Sequence, residues 1–594
     1  MTSAARARLG RLPGGATWPR PRTSLRVPPV TLPVAAAARG AVALALPLLA
    51  GLWTGAVIPS VIAAIGALWG VGQDGSDPYR LRVRRLGWMG LAAALGLLAG
   101  ELALRSGQTL AVPACLVVAA LAAGSISLRG RVASVSGMHL LLGVTIGTGI
   151  PVPGPWWHAP LALLAGVGLV VVLSATPWLW RRHHIERTAV LAVYRAASDA
   201  LSAAGSPGAE AARRRLTAAL DHAHQVVGRH LTRRAPSRPE LRATLRAFDV
   251  AVRLGEVTSA LVWEARPLPW TVTRLPLTMA QRLLPDADGA SAGTAAAPVA
   301  ADVTGRSPGL RALAELSAEA GDARGDDVTP RLPALPHERS AQLRFAVLLA
   351  ACVLVAQLCA DALHGPRGYW LPMTVAFVYK PDFGPVFRRA VHRCAGTVAG
   401  VAAIGAVTLL TTDAYALVGA VAAFGALMAV GVRHHYALAT TGLTAVVLVL
   451  VDMLGDHRAL YGPRILDTAL AAVIVLVAHF LLWPDSAARR AAAVTETAVA
   501  AARRYRDLAP EAAPAQRHAL RRAAYHQLAE ARRAVAHAQG EPGRPVRNLP
   551  DRERAITAAE QLCDAVSARS LTGSPAAPPR RPASPPALCG AGGE

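Results

Sequence analysis

Long apolar runs limit what this chain can fold into more than any other feature of its sequence. A helix needs about 20 apolar residues to cross a bilayer, within a range of roughly 17–25. Twelve stretches meet or approach that length, at 40–56, 57–72, 86–104, 109–128, 132–150, 159–179, 342–363, 365–379, 391–411, 414–432, 436–453 and 464–483. Only 17% of the residues are charged, against about 25% in soluble proteins. The sequence therefore predicts an all-α, polytopic membrane protein.

The basic residues predict how these spans are oriented, because cytoplasmic loops of membrane proteins carry an excess of Lys and Arg. With the N-terminus placed in the cytoplasm, twelve loop cations lie inside. Four lie outside, namely Arg105, Arg367, Arg458 and Arg464. Residues 1–39 contain seven arginines and no acid, which also favours a cytoplasmic N-terminus. We expect a multi-pass protein of the plasma membrane, with both termini in the cytoplasm and an uncleaved first helix.

The two sets of six spans resemble each other. The stretch 79–87 is similar to 387–396, and both follow a short apolar segment and begin a glycine-rich helix. Internal repeats of this size are the usual construction of secondary transporters. Because both halves begin inside, we expect parallel repeats related by an axis along the membrane normal.

A more polar region follows each half. Apolar residues at helical spacing, such as Val190, Val193 and Ala197, predict helices in the first of these regions. The predicted organisation is a disordered basic tail (1–39), a first transmembrane half of six helices (40–180), a cytoplasmic helical domain (181–285), a flexible linker (286–338), a second transmembrane half of six helices (339–484), a cytoplasmic C-terminal helical region (485–571) and a disordered tail (572–594).

A short apolar segment in the second half is the strongest candidate for a substrate site. Residues 369–379 would rise about 16 Å as a helix, which is too little to span a bilayer. The matching segment in the first half, 57–72, is also short and contains Pro59. Short, proline-interrupted segments at matching positions point to the substrate site of a transporter. Four cations follow where the second segment meets the cytoplasm: Lys380, Arg388, Arg389 and Arg393.

These cations can attract or hold an organic anion, and Tyr369 and Trp370 can line an aromatic site beside them. Each arginine also has a simpler interpretation as an anchor that touches only lipid headgroups. Both interpretations stay open at the level of the sequence.

The same stretch resembles the fusaric acid resistance-type (FUSC) family of membrane proteins, which includes aromatic acid exporters. The resemblance covers about 342–483, and it implies efflux of small organic acids. The first half departs from the pattern, because Gln73 to Arg80 stand where the second half has Lys380 to Gly384, which argues against a symmetric, two-fold site. The matching residues are Tyr369, Trp370, Pro372, Thr374, Pro381, Asp382, Arg388, Arg393, Gly396, Thr397 and Gly400.

Acidic residues are few near the predicted spans, and a carboxylate inside a span is a functional candidate by default. If transport is coupled to protons, the candidate titrating groups are Asp361, Asp382 and Asp467. Asp361 and Asp467 lie near predicted helix ends, where water can solvate them. Asp382 can instead pair with a neighbouring arginine.

The remaining motifs favour helix packing over chemistry. Gly396 and Gly400 form a small-xxx-small pair that permits close contact between helices. A P-loop needs Gly-Lys, and the single lysine, Lys380, follows Tyr379. His222-Ala-His224 lacks companion ligands and is expected on a solvated helix face. We therefore predict no enzyme activity, no cofactor and no metal.

The sequence predicts a secondary transporter that exports small organic acids, including aromatic carboxylic acids. Two alternatives are left open. One is an organic-anion channel on the same scaffold, and the other is a non-transporting scaffold whose cytoplasmic helices bind partners. The expected partners are the lipid bilayer and a small organic anion, and a homo-oligomer is left open. The net charge of +25 is spread along the chain, whereas a nucleic-acid-binding domain would concentrate it, so no nucleic acid is expected.

Overall fold

A computed structural model gives the fold of most of the chain. It describes residues 33–75, 77, 79–127, 129–150, 153–176, 183–227, 239–284, 307–322, 339–364, 367–380, 385–454, 460–482, 486–541 and 549–572. Within these ranges the secondary structure is helical, without strands. The protein is therefore an all-α, polytopic membrane protein. It divides into two compact units, which are described separately.

The first unit contains a helix at each of the twelve positions that the apolar runs predict. Eight of them are long and apolar enough to cross a membrane, where α18 is counted together with the π-helical turn Ala478–Leu482 that continues it. Three others have 17 residues, and one has only nine. The helices are α1 Val34–Thr54, α2 Val57–Gln73, α3 Tyr79–Arg105, α4 Ala111–Ser127, α5 Arg131–Gly149, α6 His158–Ala175, α13 Arg339–Leu363, α14 Trp370–Val378, α15 Val386–Leu410, α16 Ala414–His434, α17 Tyr436–Asp452 and α18 Tyr461–Val477, with α7 to α12 in the second unit below.

Helices from both parts of the sequence pack together in this unit. Helix α1 contacts α16, α4 contacts α13, and α5 contacts α14. Large apolar side chains such as Trp53, Leu95 and Leu409 are exposed on the outside of the unit. An exposed apolar surface of this kind suits hydrocarbon as the surrounding solvent.

Glycines set a close helix contact in the unit, between α3 and α5. A Cβ at Gly143 would overlap the carbonyl oxygen of Ala93, and a Cβ at Gly147 would overlap that of Leu97. Close approach of backbones through small residues is how membrane helices associate when no hydrophobic effect acts between them.

The second unit comprises Arg187–Arg331, Val499–His526 and Thr557–Glu594. Its core includes Tyr194, Phe248 and Leu313, all of them buried. Its helices include α7 His184–Ser202, which begins in the first unit, then α8 Ala209–Val227, α9 Pro239–Trp263, α10 Trp270–Thr273, α11 Leu275–Leu283 and α12 Pro308–Asp322. Three C-terminal helices follow α18, namely α19 Ser486–Leu508, α20 Pro514–Gln539 and α21 Leu549–Thr572.

The structure differs from the sequence prediction at one boundary and in the linker. Helix α1 begins at Val34, inside the stretch expected to be a disordered tail. Helix α12 lies within the predicted flexible linker and packs against α9 and α11. Its Leu310, Leu313 and Leu316 are buried, and their spacing of three gives the segment an apolar helical face. The rest of the linker and the tail after Thr572 lie outside the described residues.

Candidate substrate site

The short helix α14 is the buried centre of the second-half helices. It contacts α13, α18 and α5. Trp370 and Thr374 are fully buried, and the Thr374 hydroxyl donates to the Trp370 carbonyl at 2.8 Å. Pro372 occupies the first turn, where a helix does not need its missing N–H group. Tyr369 precedes the helix and is also buried, with its ring against Gly149 of α5.

Arg464, in the first turn of α18, lies against the N-terminal end of α14. Its side chain is fully buried. Its Cζ lies 5.0 Å from the centre of the Trp370 ring, and its Nη1 donates to the Thr374 hydroxyl at 3.3 Å. From the sequence alone, Arg464 is expected to be a cation of an outer loop, whereas the structure buries it between helices.

Arg393, in the second turn of α15, lies against the other end of α14. It is 1% exposed, and its Cζ lies 4.8 Å from the centre of the Phe377 ring. The Tyr436 hydroxyl is its polar neighbour. Trp370 and Phe377 are seven residues apart on α14, or about 10 Å along the helix axis.

Both guanidinium groups have unused donors. Among the described residues, Nε and Nη2 of Arg393 and of Arg464 have no hydrogen-bond partner. The Trp370 indole N–H and the Thr397 hydroxyl are likewise buried without a partner in the described part of the chain. A buried cation without a counter-charge costs several kcal/mol, so unused donors of this kind mark a place where an anion would be stabilised.

The other three predicted cations occupy different environments near the C-terminal end of α14. Arg389 donates from Nη1 to the carbonyl oxygens of Val378 at 3.2 Å and Lys380 at 3.5 Å. Lys380 is half-buried, and its charge acts on His139 of α5. Arg388 is exposed. The cations thus run along α14, from Arg389 at its C-terminal end to Arg464 at its N-terminal end.

The three predicted acids are not equivalent. Asp361 is exposed and accepts a hydrogen bond from Gln357 at 2.8 Å. Asp467 is half-buried one turn after Arg464, and its charge acts on that arginine. Asp382 lies outside the described residues, as does Pro381.

Two buried cations of the first half, Arg82 and Arg85, are neutralised by acids. Arg82 lies 3.3 Å from Asp74, which also pairs with Arg39 at 2.8 Å. Arg85 pairs with Asp77. By the similarity of 79–87 to 387–396, Arg85 stands where the second half has Arg393. The two halves therefore differ in charge balance, as the departure from the family pattern indicates.

The glycine pair on α15 lies against α17. A Cβ at Gly396 would overlap the Thr440 hydroxyl, and one at Gly400 would lie 2.7 Å from the Thr441 carbonyl oxygen. These contacts hold α15, and with it Arg393, close to its neighbouring helix.

Sequence reasoning did not identify Arg464 as part of this site, although a signal was present. Arg464, Thr468, Ala471 and Val475 share one face of α18, and all four are buried. A cation on the same helical face as three small or apolar residues indicates burial.

Residues 344–478, which contain this arrangement, match the family described as fusaric acid resistance protein-like. This part of the chain is similar to that family. The match agrees with the extent of the resemblance seen in the sequence, and it covers α14, α15 and α18 together with the buried arginines.

Similar proteins are found in Bacillus subtilis and Escherichia coli. The uncharacterized membrane protein YvaC of Bacillus subtilis is 25% identical over 464 residues, which cover 75% of this chain and 72% of YvaC. The uncharacterized protein YhfK of Escherichia coli is 32% identical over 26% of this chain, and the inner membrane protein YccS of the same species is 29% identical over 28%. This chain spans only 23% of the length of each of the last two. No solved structure matches it.

Proposed function

We propose that the protein is a secondary transporter of the plasma membrane that exports small organic acids, including aromatic carboxylates. The observation that supports this most directly is the pair of fully buried arginines on either end of α14, each with unused N–H donors. A guanidinium donates two parallel hydrogen bonds to a carboxylate, which adds geometric specificity to the attraction between charges.

The order of the cations defines a path for the anion. A carboxylate from the cytoplasm meets Arg389 first, then Arg393, then Arg464. An aromatic ring lies beside each buried arginine, Phe377 at one and Trp370 at the other. An acid with an aromatic body can stack on these rings while its carboxylate moves from one guanidinium to the next. The first half offers no equivalent path, since Asp74 and Asp77 neutralise its buried arginines, Arg82 and Arg85.

The test is export of a panel of aromatic and aliphatic acids from cells that lack the protein and from cells that express it again. Deletion should raise the intracellular concentration of at least one acid, and expression should restore it. Arg393→Gln and Arg464→Gln should abolish the rescue, while Arg433→Gln, at an exposed residue, should not. No accumulation of any acid in the deletion strain, or full rescue by both glutamine variants, would contradict the proposal.

Asp467 is the proposed coupling residue, because it is half-buried and its charge acts on Arg464. Uptake of a proton by Asp467 would leave Arg464 free to attract the substrate. A protonophore should therefore inhibit export by the wild type. Asp467→Asn should remove this sensitivity, whereas Asp361→Asn should keep it because Asp361 is exposed. Flux that is passive and insensitive to the protonophore would identify a channel instead.

The proposed orientation places both termini in the cytoplasm. A C-terminal epitope tag should be cut by protease in inside-out vesicles and be protected in right-side-out vesicles. The opposite result would reverse the direction of the path described above.

A further inference from the structure

A carboxylate from a distant part of the chain lies at the beginning of α15. Both oxygens of Glu541 are 3.3 Å from the backbone nitrogen of Phe387, in the first turn of that helix. The residue before the helix, Pro385, provides no side-chain cap. Glu541 follows the end of α20 by two residues and belongs to the same compact unit as α15.

The surroundings of Glu541 are those of an anion-binding site. A helix N-terminus presents unpaired N–H groups and the positive end of the helix dipole. The backbone N–H groups of Val386 and Phe387 act on the carboxylate, as do the charges of Arg389 and Arg388. Arg393 lies on the same helix, between one and two turns further on, and it is the first buried cation of the proposed path.

We propose that the N-terminus of α15, with Arg388 and Arg389, is the cytoplasmic loading site for the carboxylate of the exported acid, and that Glu541 is an internal competitor for it. This inference rests on the proposed export function. Glu541 and the substrate carry the same functional group, so the contacts that bind one bind the other. The protein itself therefore shows which chemistry the site accepts, and export requires that Glu541 leave.

The competition depends on pH. Burial raises the pKa of Glu541 from 4.5 to about 7, although the two N–H groups and the two arginines oppose the rise. Above that pH the ionised carboxylate is held by the helix N-terminus and by the arginines. Below it the carboxyl group is neutral and competes poorly, so a substrate that is still ionised gains the site. Acidification of the cytoplasm should therefore favour loading.

The first experiment measures export against cytoplasmic pH in the wild type and in Glu541→Gln. Benzoate is a suitable probe because it remains ionised across this range. The KM of the wild type should fall at least threefold as the pH is lowered from 8 to 6. Glu541→Gln should have the low KM at both values. Glu511→Gln, at an exposed glutamate, should behave as the wild type. The same pH profile in the wild type and in Glu541→Gln would overturn the inference and leave the export function standing.

The second experiment does not depend on transport. Binding of benzoate to the purified full-length protein is measured by calorimetry at pH 8. Glu541→Gln should bind benzoate at least threefold more tightly than the wild type, and Glu541→Gln combined with Arg388→Gln should lose that gain. Equal binding by the wild type and Glu541→Gln, or no binding by either, would overturn the loading site. Tighter binding by Glu541→Gln without export by any form would support the loading site and reject the export function.

Discussion

At the scale of single residues, the unusual feature is a pair of buried guanidinium groups that form no ion pair with the described residues. A guanidinium over an aromatic face gains about 2 kcal/mol when it is shielded from water, which is less than the cost of removing its hydration. Arg393 and Arg464 have such contacts with Phe377 and Trp370. Packing alone therefore does not explain why these positions are arginine, whereas the proposed binding of a transported anion would explain it.

Substitution of Arg464 should separate stability from function. Arg464→Gln removes a buried charge that has no ion pair among the described residues, so the midpoint of thermal unfolding in detergent should equal or exceed that of the wild type. Export should fall about tenfold or more, because charge-assisted hydrogen bonds to the anion are lost. Arg464→Lys keeps the charge but not the planar fork and should retain part of the activity. A Gln variant that exports normally would remove Arg464 from the path.

His224 is a second residue for which burial decides the chemistry. It was expected on a solvated face, yet only His222 is exposed, whereas His224 is buried with its ring 4.7 Å from that of Phe248. Burial lowers the pKa of His224 from 6.5 to about 3. The unfolded chain thus takes up a proton near pH 6.5 that the folded protein does not accept until near pH 3.

The stability of the second unit should therefore fall as the pH falls below 6.5. The loss at pH 5 is on the order of 2 kcal/mol from this residue. Hydrogen exchange of peptides from α8 at pH 7 and pH 5 measures it, after correction for the intrinsic exchange rate. His224→Leu should show a smaller loss of protection at pH 5 than the wild type, and His222→Leu should show the full loss. Equal losses in both variants would mean that another group controls the acid sensitivity.

At the scale of helices, the sequence predicted where each apolar helix lies in the chain better than it predicted which side chains contact other helices. Apolar runs locate the twelve apolar helices of the first unit because the bilayer requirement is local in sequence. The short helix α14 was also predictable, since the eleven residues 369–379 are too few to span a bilayer as a helix. The helical face of α18 indicates that Arg464 is buried, but its contact with Trp370 was not predictable because it depends on α14 and α18 coming together. Contacts between helices distant in sequence leave little trace in either helix alone.

The contact between α15 and α17 supports a prediction at this scale. Gly396→Ala would place a methyl group against the Thr440 hydroxyl and within 2.7 Å of the Ala437 carbonyl oxygen. We expect it to destabilise the protein by about 1–3 kcal/mol, as overpacking does. Gly419→Ala on α16 is the matched control, because its Cβ would meet nothing within 4 Å and alanine favours helix. Thermal unfolding in detergent compares the two, and a loss at Gly419→Ala as large as that at Gly396→Ala would contradict the packing explanation.

At the scale of the whole molecule, the second unit shows why domain boundaries could not be derived from the order of the sequence. The two polar regions were expected to form separate helical domains, yet segments of both build one unit. Arg213 of α8 lies 2.8 Å from Glu560 and 3.1 Å from Asp564 of α21. Tyr525 of α20 donates a hydrogen bond to Asp564. Arg213 and Glu560 are separated by 347 positions, and charge alternation on each helix predicts only a solvated face.

The ion cluster predicts that segments distant in sequence unfold together. Arg213→Ala would leave Glu560 and Asp564 buried without their cation, at a cost of about 3–5 kcal/mol. Burial already raises the pKa of Asp564 from 3.8 to about 6, with Arg213 opposing the rise. Removal of Arg213 should raise that pKa further. Hydrogen exchange should show that α8 and α21 lose protection to the same extent in Arg213→Ala.

Arg214→Ala is the control for this prediction, since Arg214 is the next residue on α8 and its side chain is 39% exposed. It should leave the protection of both helices unchanged, as exposed ion pairs contribute little. Loss of protection in α8 alone would mean that the two polar regions fold independently and that the cluster contributes nothing to their association. Loss in both helices would establish that the region after the second transmembrane half completes a unit that begins before it, which is a constraint on any fragment of this protein chosen for expression.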